Sequence, residues 1–371
     1  MITVILLSMA LLSLASDIYL WHRNIVRWPS PWKYLHWLTM TATALLTVLS
    51  LCGASDETVI TIWTWLMLLG WMPGWIHALF AMLRVPRIGI AARAMLFAAM
   101  LYGICFGWKR PTVREIAVSS LRVPPAFRGY RIVHISDLHI GTYRAAPHVM
   151  EKIVELVNDA QPDLIVFTGD IVNMSPEELT PFTGILSRMQ AADGIVSILG
   201  NHDYCTYGRK RNVTEAAEQQ QKIIAMQRAM GWKMLLNENI VLHRGTDSIA
   251  VIGVENDGRP PFPARADLVK AMCGLRQETF KILLSHDPSH WRSAVAGHTD
   301  IDLTLSGHTH AMQLRIGNIS PSRLLYREWG GIYTHGRQHL YVNTGTGSNV
   351  PFRLGAWPEI TVLTLTEADG Q

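Results

Sequence analysis

The chain of 371 residues carries 33 Lys and Arg against 29 Asp and Glu, a net charge of +4 with no long basic run, which leaves no electrostatic footprint for nucleic acid. Its four cysteines (Cys52, Cys105, Cys205 and Cys273) stand isolated, so neither a disulfide framework nor a Cys-x-x-Cys zinc knuckle follows. Residues 1–108 hold nine of the 62 Asp, Glu, Lys and Arg side chains but nine of the 13 tryptophans, so an apolar region precedes a globular one.

In chain order, four hydrophobic segments come first: 2–21, 34–54, 59–83 and about 88–108. Each approaches the roughly 20 residues that cross a hydrocarbon core; the fourth is the weakest, because Arg93 lies inside it. The first has no basic n-region or Ala-x-Ala site and reads as an anchor, not a signal peptide. Trp21, Trp28, Trp32, Trp37 and Trp108 fall near segment ends, as interfacial belts do. Arg23, Arg27 and Lys33 in the first loop and Arg84 and Arg87 in the third, against Asp56 and Glu57 in the second, place loops one and three in the cytoplasm. With four spans the following domain faces outward; with three it is cytoplasmic. Asp17, His22, His36 and His77 read as helix-end or helix-to-helix contacts.

Residues 109–127 form a linker with an entry strand, and 128–371 the globular domain. Short Val/Ile/Leu runs at 130–136, 163–168, 195–199, 249–254, 280–285, 301–306, 339–343 and 360–366 predict strands. Amphipathic stretches at 146–160, 177–190, 212–230, 264–273 and 289–296 predict helices, and the alternation predicts an α/β layered domain.

Five polar clusters each end a hydrophobic run: Asp137-Leu-His139, Gly169-Asp170, Gly200-Asn201-His202-Asp203, Ser285-His286-Asp287 and Gly307-His308-Thr-His310. Asp137, His139, Asp170, Asn201, His286, His308 and His310 are the oxygen and imidazole donors that Mn, Fe, Zn or Co accept. Seven donors exceed the need of one ion, and two divalent ions sharing a bridging aspartate use them all. Such a pair suits phosphoester hydrolysis by a bridging hydroxide. His202, outside the donor set, is the candidate proton donor to the leaving oxygen, with Asp203 or Asp287 to orient an imidazole. His134, His148, His243, His290, His298, His335 and His339 read as surface or core histidines, and Arg209-Lys210-Arg211 as a solvated basic face.

The order and spacing of these motifs over about residues 128–366 resemble the calcineurin-like metallophosphoesterase superfamily. The resemblance implies a four-layer αββα sandwich of two mixed sheets, here preceded by an all-α transmembrane region of about four helices over 1–108. It implies that Asp137, His139, Asp170 and His310 hold one metal, that Asp170 bridges to a second completed by Asn201, His286 and His308, and that His202 is the proton donor. Two departures stand out. Asn173-Met174 replaces the Asp-Arg pair of the protein phosphatases, which points to the bacterial phosphodiesterase-like branch. Ala311-Met312-Gln313 replaces Gly-Gly-Gln.

The sequence thus reads as a membrane-anchored dinuclear-metal phosphodiesterase of a bacterial inner membrane, its partners the lipid bilayer and a lipid-linked or envelope phosphoester. The alternatives are a pyrophosphatase acting on a nucleotide-linked lipid precursor, similar to the UDP-diacylglucosamine hydrolases, and a silent metal-binding scaffold.

Overall fold

The structure, a computed structural model, describes residues 2–23, 25–27, 29–51, 57–207, 212–258, 260 and 262–368. Cys52, Asp56, Trp28 and the basic run Arg209-Lys210-Arg211 lie outside the described residues. Two compact units form, the first mainly Met1–Gly107 and the second mainly Trp108–Tyr207, Arg211–Asn349 and Gly355–Gln371.

The first unit is helical: α1 (Ile2–Arg23), α2 (Ser30–Leu51), α3 (Glu57–Leu66), α4 (Met72–Met82) and α5 (Pro86–Cys105). A single π-helical turn, Met67–Trp71, joins α3 to α4 just ahead of Pro73, which has no amide hydrogen to continue the ordinary helical ladder. Two continuous stretches, Thr58–Met82 and Pro86–Lys109, are long and apolar enough to cross a membrane. The segment that Arg93 made weakest in the sequence is therefore one of these two, because the helix starts at Pro86 and not beyond Arg93. The segments expected as the first two spans are helices of 22 residues each but are not among the helices that meet this measure, so two of the four expected spans are found among the described residues. Polar side chains tie helices together: Trp63 Nε1 donates to Thr47 Oγ1 at 2.8 Å, Trp75 Nε1 to Ser13 Oγ at 3.1 Å, and His36 Nε2 stands 3.8 Å from Asp17 Oδ1.

The second unit contains two mixed six-stranded sheets. The first has the order β1 (Thr112–Ser119), β12 (Glu359–Thr366), β2 (Arg131–Ile135), β3 (Leu164–Phe167), β4 (Ile195–Ser197) and β5 (Lys233–Met234). The second runs β10 (Gly331–His335), β11 (Gln338–Val342), β9 (Leu303–Ser306), β8 (Phe280–Leu284), β7 (Asp247–Gly253) and β6 (Glu238–Arg244). Strands β2 to β5 are mutually parallel, as are β7, β8, β9 and β11.

Strand side chains alternate between faces, and the buried clusters follow that alternation. Ile132, Leu164 and Val166 of the first sheet share one core with Val251, Ile282, Leu284, Leu303 and Leu305 of the second. Val133, Ile135, Ile165 and Phe167 turn the other way, onto Val149, Ile153 and Val157 of α6 (Pro147–Asp159) and Ile223 of α7 (Val213–Ala229). Ile252, Leu283, Leu340 and Val342 face outward onto Trp291 and Val295. A strand buried on both faces is mostly apolar, which is why β3 reads as a continuous hydrophobic run and β2 and β8 as runs broken only by Arg131 and His134 and by Lys281.

The expected strands are present, but three helices are not as expected. The 177–190 stretch breaks into 3-10 turns at Pro176–Glu178 and Thr180–Phe182 and a short helix, Thr183–Leu186, because Pro181 interrupts it. The 264–273 stretch keeps one turn, Leu268–Ala271, and 289–296 becomes a π-helical turn, Trp291–Val295. Strands β5, β6 and β10 have no counterpart among the expected runs, since β6 has only three consecutive apolar residues, β10 has two apolar side chains and β5 is two residues long.

Leu303 is fully buried between the sheets. Leu303→Ala should destabilise the second unit by about 2–5 kcal/mol through lost transfer energy and a residual cavity, read as a lower thermal midpoint in detergent with unchanged metal content.

Candidate metal centre

Every candidate side chain sits just beyond the carboxyl end of a strand. Asp137 and His139 follow β2, Asp170 follows β3, Asn201 and His202 follow β4, His286 follows β8, and His308 and His310 follow β9. Open α/β sheets place ligands at this edge. The turns there are sharp: Asp137, His139, Asp170, His308 and His310 have φ of 52°, 44°, 61°, 72° and 50°. Five of the seven candidate donors thus occupy the left-handed region that non-glycine residues seldom adopt, a strain that gathers at functional sites. Gly307 is needed for a different reason. A Cβ there would lie 1.9 Å from Ser136 Oγ and 2.2 Å from Asp137 Oδ2.

All seven converge. His310 Nε2 is 3.2 Å from Asp137 Oδ1 and 3.0 Å from His139 Nε2. His286 Nε2 is 3.1 Å from Asn201 Oδ1 and 3.3 Å from His308 Nδ1. Asp170 Oδ2 joins the two groups, 3.7 Å from His139 Nε2 and 3.1 Å from His286 Nε2. Asp137, His139 and His310 form one set able to hold a metal ion, Asp170, His286 and His308 another, and His139, Asp170 and His202 a third that overlaps both.

The chemistry of these donors fits a pair of cations. Imidazole nitrogens 3.0 Å apart repel as lone pairs unless a proton or a metal lies between them. Burial raises the Asp137 and Asp170 carboxyls, but His310 beside the first and His286 beside the second hold both well below the usual range. Burial opposes a proton on His286, yet the Asp170 carboxylate overcomes it and raises that imidazole to about 10. The buried carboxylates therefore demand positive charge at the point where the nitrogens meet.

A second set of contacts fixes the donors. His286 Nδ1 donates to the Thr168 carbonyl at 2.7 Å, leaving Nε2 for the centre, and Ser136 Oγ donates to Asp137 Oδ2 at 2.5 Å. His308 Nε2 meets Tyr326 Oη at 2.7 Å and lies 3.7 Å from Asp287 Oδ2, so its Nδ1 faces inward. Asn201 Nδ2 donates to Tyr207 Oη at 3.0 Å, which turns its carbonyl oxygen toward His286. His202 is held by its backbone amide, 2.8 Å from Asp170 Oδ1, and by Nδ1, 2.6 Å from the Asn173 carbonyl.

Of the two residues expected to orient an imidazole, one is corrected. Asp203 orients no imidazole; it accepts from the amides of Gly200, Asp170 and Ile171 at 2.8–2.9 Å. Asp287 does approach His308, but Tyr326 is the closer partner, and nothing local in the sequence marks a tyrosine 18 residues downstream. His134 is a core histidine, its Nε2 2.9 Å from Thr168 Oγ1, and burial pulls it down to about 3. His335 and His339 lie on β10 and β11 and belong to none of these sets.

A fold of two stacked mixed sheets with a shared aspartate between two imidazole sets defines a metal-dependent hydrolase class. Residues 130–312 match the calcineurin-like phosphoesterase family. An uncharacterized metallophosphoesterase of Bacillus subtilis, YkuE, is 31% identical over 265 residues, covering 68% of this chain and 84% of that one. A zebrafish (Danio rerio) transmembrane protein with metallophosphoesterase domain is 30% identical over 74% of this chain, which spans 62% of the zebrafish protein. The UDP-2,3-diacylglucosamine pyrophosphatase LpxG of Chlamydia muridarum is 23% identical over 74% of this chain and 96% of its own. The chain belongs to the calcineurin-like metallophosphoesterase family.

Because Tyr326 holds His308 from behind, Tyr326→Phe should weaken metal binding at the set of Asp170, His286 and His308 by roughly tenfold. Metal titration followed by mass spectrometry would show the weakened binding.

Proposed function

We propose that the protein is a membrane-anchored, two-metal phosphodiesterase. The observation that carries the reading is the pair of donor sets joined by Asp170 Oδ2, with His202 fixed at their edge. Asp137, His139, Asp170 and His310 would hold one divalent ion and Asp170, Asn201, His286 and His308 a second, with Mn, Fe and Zn all suited to the donors. Such a pair supplies a cationic seat for phosphoryl oxygens and a more acidic attacking water.

The chain's own part is proton delivery and orientation. The His202 Nδ1–H is committed to the Asn173 carbonyl, so a proton for transfer would leave from Nε2 of the doubly protonated ring. As water oxygen bonds to phosphorus and the ester P–O bond breaks, the departing alkoxide takes that proton. The Tyr207 ring lies 4.5 Å from the imidazole, and the amide bond to Asp170 Oδ1 ties the acid to the bridging carboxylate. At Asn173 and Met174 no arginine is present to offset the second charge of a monoester, which favours a singly charged diester.

Residues 1–108 would anchor the domain of 128–371 through four spans and the 109–127 connection, with the domain outside by the positive-inside rule. A second reading, hydrolysis of a nucleotide-linked lipid pyrophosphate, draws on the likeness to LpxG and needs a cytoplasmic domain.

Metal-stripped protein reloaded with Mn, Fe or Zn should cleave bis-p-nitrophenyl phosphate, and Asp170→Asn should lose both the metals and the activity. His202→Gln should keep its metals and lose roughly 10²–10⁴ in rate, more for an alkyl leaving group than for p-nitrophenolate, which leaves without a proton. Equal losses on both would remove His202 as the acid. For topology, Cys273 is exposed in the second unit. In a Cys52→Ser, Cys105→Ser background, a membrane-impermeant maleimide should label it in intact cells; labelling only after permeabilisation would favour the pyrophosphatase reading.

A further inference from the structure

The segment after the His308-Thr-His310 turn is folded with its polarity reversed. Ser320 and Ser322 are buried at 3% and 0% exposure, while Ile316, Ile319 and Leu324 stand 74%, 68% and 88% exposed. The serines are drawn inward by specific bonds: Ser320 Oγ donates to the Ala311 carbonyl at 2.6 Å and Ser322 Oγ to the Thr309 carbonyl at 3.2 Å. Ile316 and Ile319 face each other across a tight turn, their amides and carbonyls paired at 2.9 and 3.0 Å. Directly paired residues project to one side. Three large aliphatic side chains on one short loop are a surface that water disfavours.

The charge on this loop is all of one sign. Arg315, Arg323 and Arg327 lie within it, and residues 311–327 contain no Asp or Glu. Arg323 and Arg327 are exposed. Arg315 is held beside the aliphatic turn by the Gly317 carbonyl at 2.7 Å. Arginines interleaved with exposed aliphatics fit an anionic lipid surface, where the cations meet phosphate and the side chains enter the acyl boundary. A second copy of the loop fits poorly, since pairing would bring six arginines together with no acid from either loop. The loop is also stapled to the metal centre. Tyr326 Oη meets His308 Nε2 at 2.7 Å, and Thr309 Oγ1 donates to the Trp329 carbonyl at 2.6 Å.

We propose that the 315–327 loop is a bilayer-docking surface, its arginines taking anionic phospholipid headgroups and Ile316, Ile319 and Leu324 entering the acyl boundary beside the metal centre. The docking stands without any catalytic step; only its use, bringing a lipid-borne phosphoester to the centre, rests on the phosphodiesterase reading.

The test is amide hydrogen exchange of the full chain in nanodiscs of phosphatidylglycerol, in nanodiscs of phosphatidylcholine and in detergent. Exchange across 312–327 should be at least about tenfold slower in phosphatidylglycerol than in phosphatidylcholine. That difference should fall by roughly fivefold for each arginine replaced by Gln. Ile316→Ser with Ile319→Ser and Leu324→Ser should abolish the protection. Equal exchange in all three settings would overturn the proposal, and protection that follows protein-to-disc ratio instead of lipid charge would replace it with a contact between copies. Turnover of bis-p-nitrophenyl phosphate, measured in parallel, keeps the two readings apart: lipid-dependent protection without turnover would sink the catalytic reading alone.

Discussion

The centre depends on a carboxylate that acts through backbone. Asp203 is fully buried and accepts from the amides of Gly200, Asp170 and Ile171, so it binds the turn after β3 to the turn after β4. Burial, then the neighbouring Asp170 charge, pushes its carboxyl up to about 7, while the amides of Gly200 and Asp170 pull the other way. Without it these buried amides would lose their acceptor, each at about 1–3 kcal/mol. The two turns touch backbone to backbone, since a Cβ on Gly169 would lie 2.2 Å from the Gly200 nitrogen. This contact brings Asp170 and Asn201 to the same His286 imidazole and lets the His202 amide reach Asp170 Oδ1.

The sequence made the donors legible because each lies within a few residues of a hydrophobic run whose end is a strand end. Asp137 and Asp170 needed no long-range knowledge: an apolar strand, a tight turn and a ligand type suffice. The supports were hidden for the opposite reason. Tyr326 reaches His308, Thr168 reaches His286 and Asn173 reaches His202, and no spacing rule links members of these pairs. Asp203 was visible as a residue but its role was misread. A carboxylate beside a histidine suggests an imidazole partner, whereas burial among three unpaired amides gave it stronger partners.

Secondary structure shows the same division. Strands β2, β3 and β8, buried on both faces, announce themselves as largely apolar runs and β9 as an alternation of leucine with Thr304 and Ser306; β6 and β10, half exposed, do not. The helical stretch at 177–190 had apolar periodicity, but Pro181 and the capping box of Ser175 with Glu178 gave the chain a local alternative. In the helical first unit the opposite happened. Arg93 counted against a span in the sequence, yet it lies with Asp17 and His36 around one cavity of about 210 Å³, so its polar side has company within the helices.

The Ala311-Met312 departure ties the metal turn to the loop beyond it. Both residues hold left-handed backbone, φ 51° and 45°, where the related pattern carries two glycines. A glycine would relieve roughly 1–2 kcal/mol at each position, so the side chains must return something. Ala311 is fully buried and forms a small core with Trp329 and Ala356, against which Tyr326 packs. Glycine at 311 would leave that core without its central methyl. The strain and the packing are thus two sides of one choice: the turn that aims His308 and His310 also seats the tyrosine that holds His308. A loop with exposed aliphatics can then extend from the centre without loosening it, because its base is fixed from within.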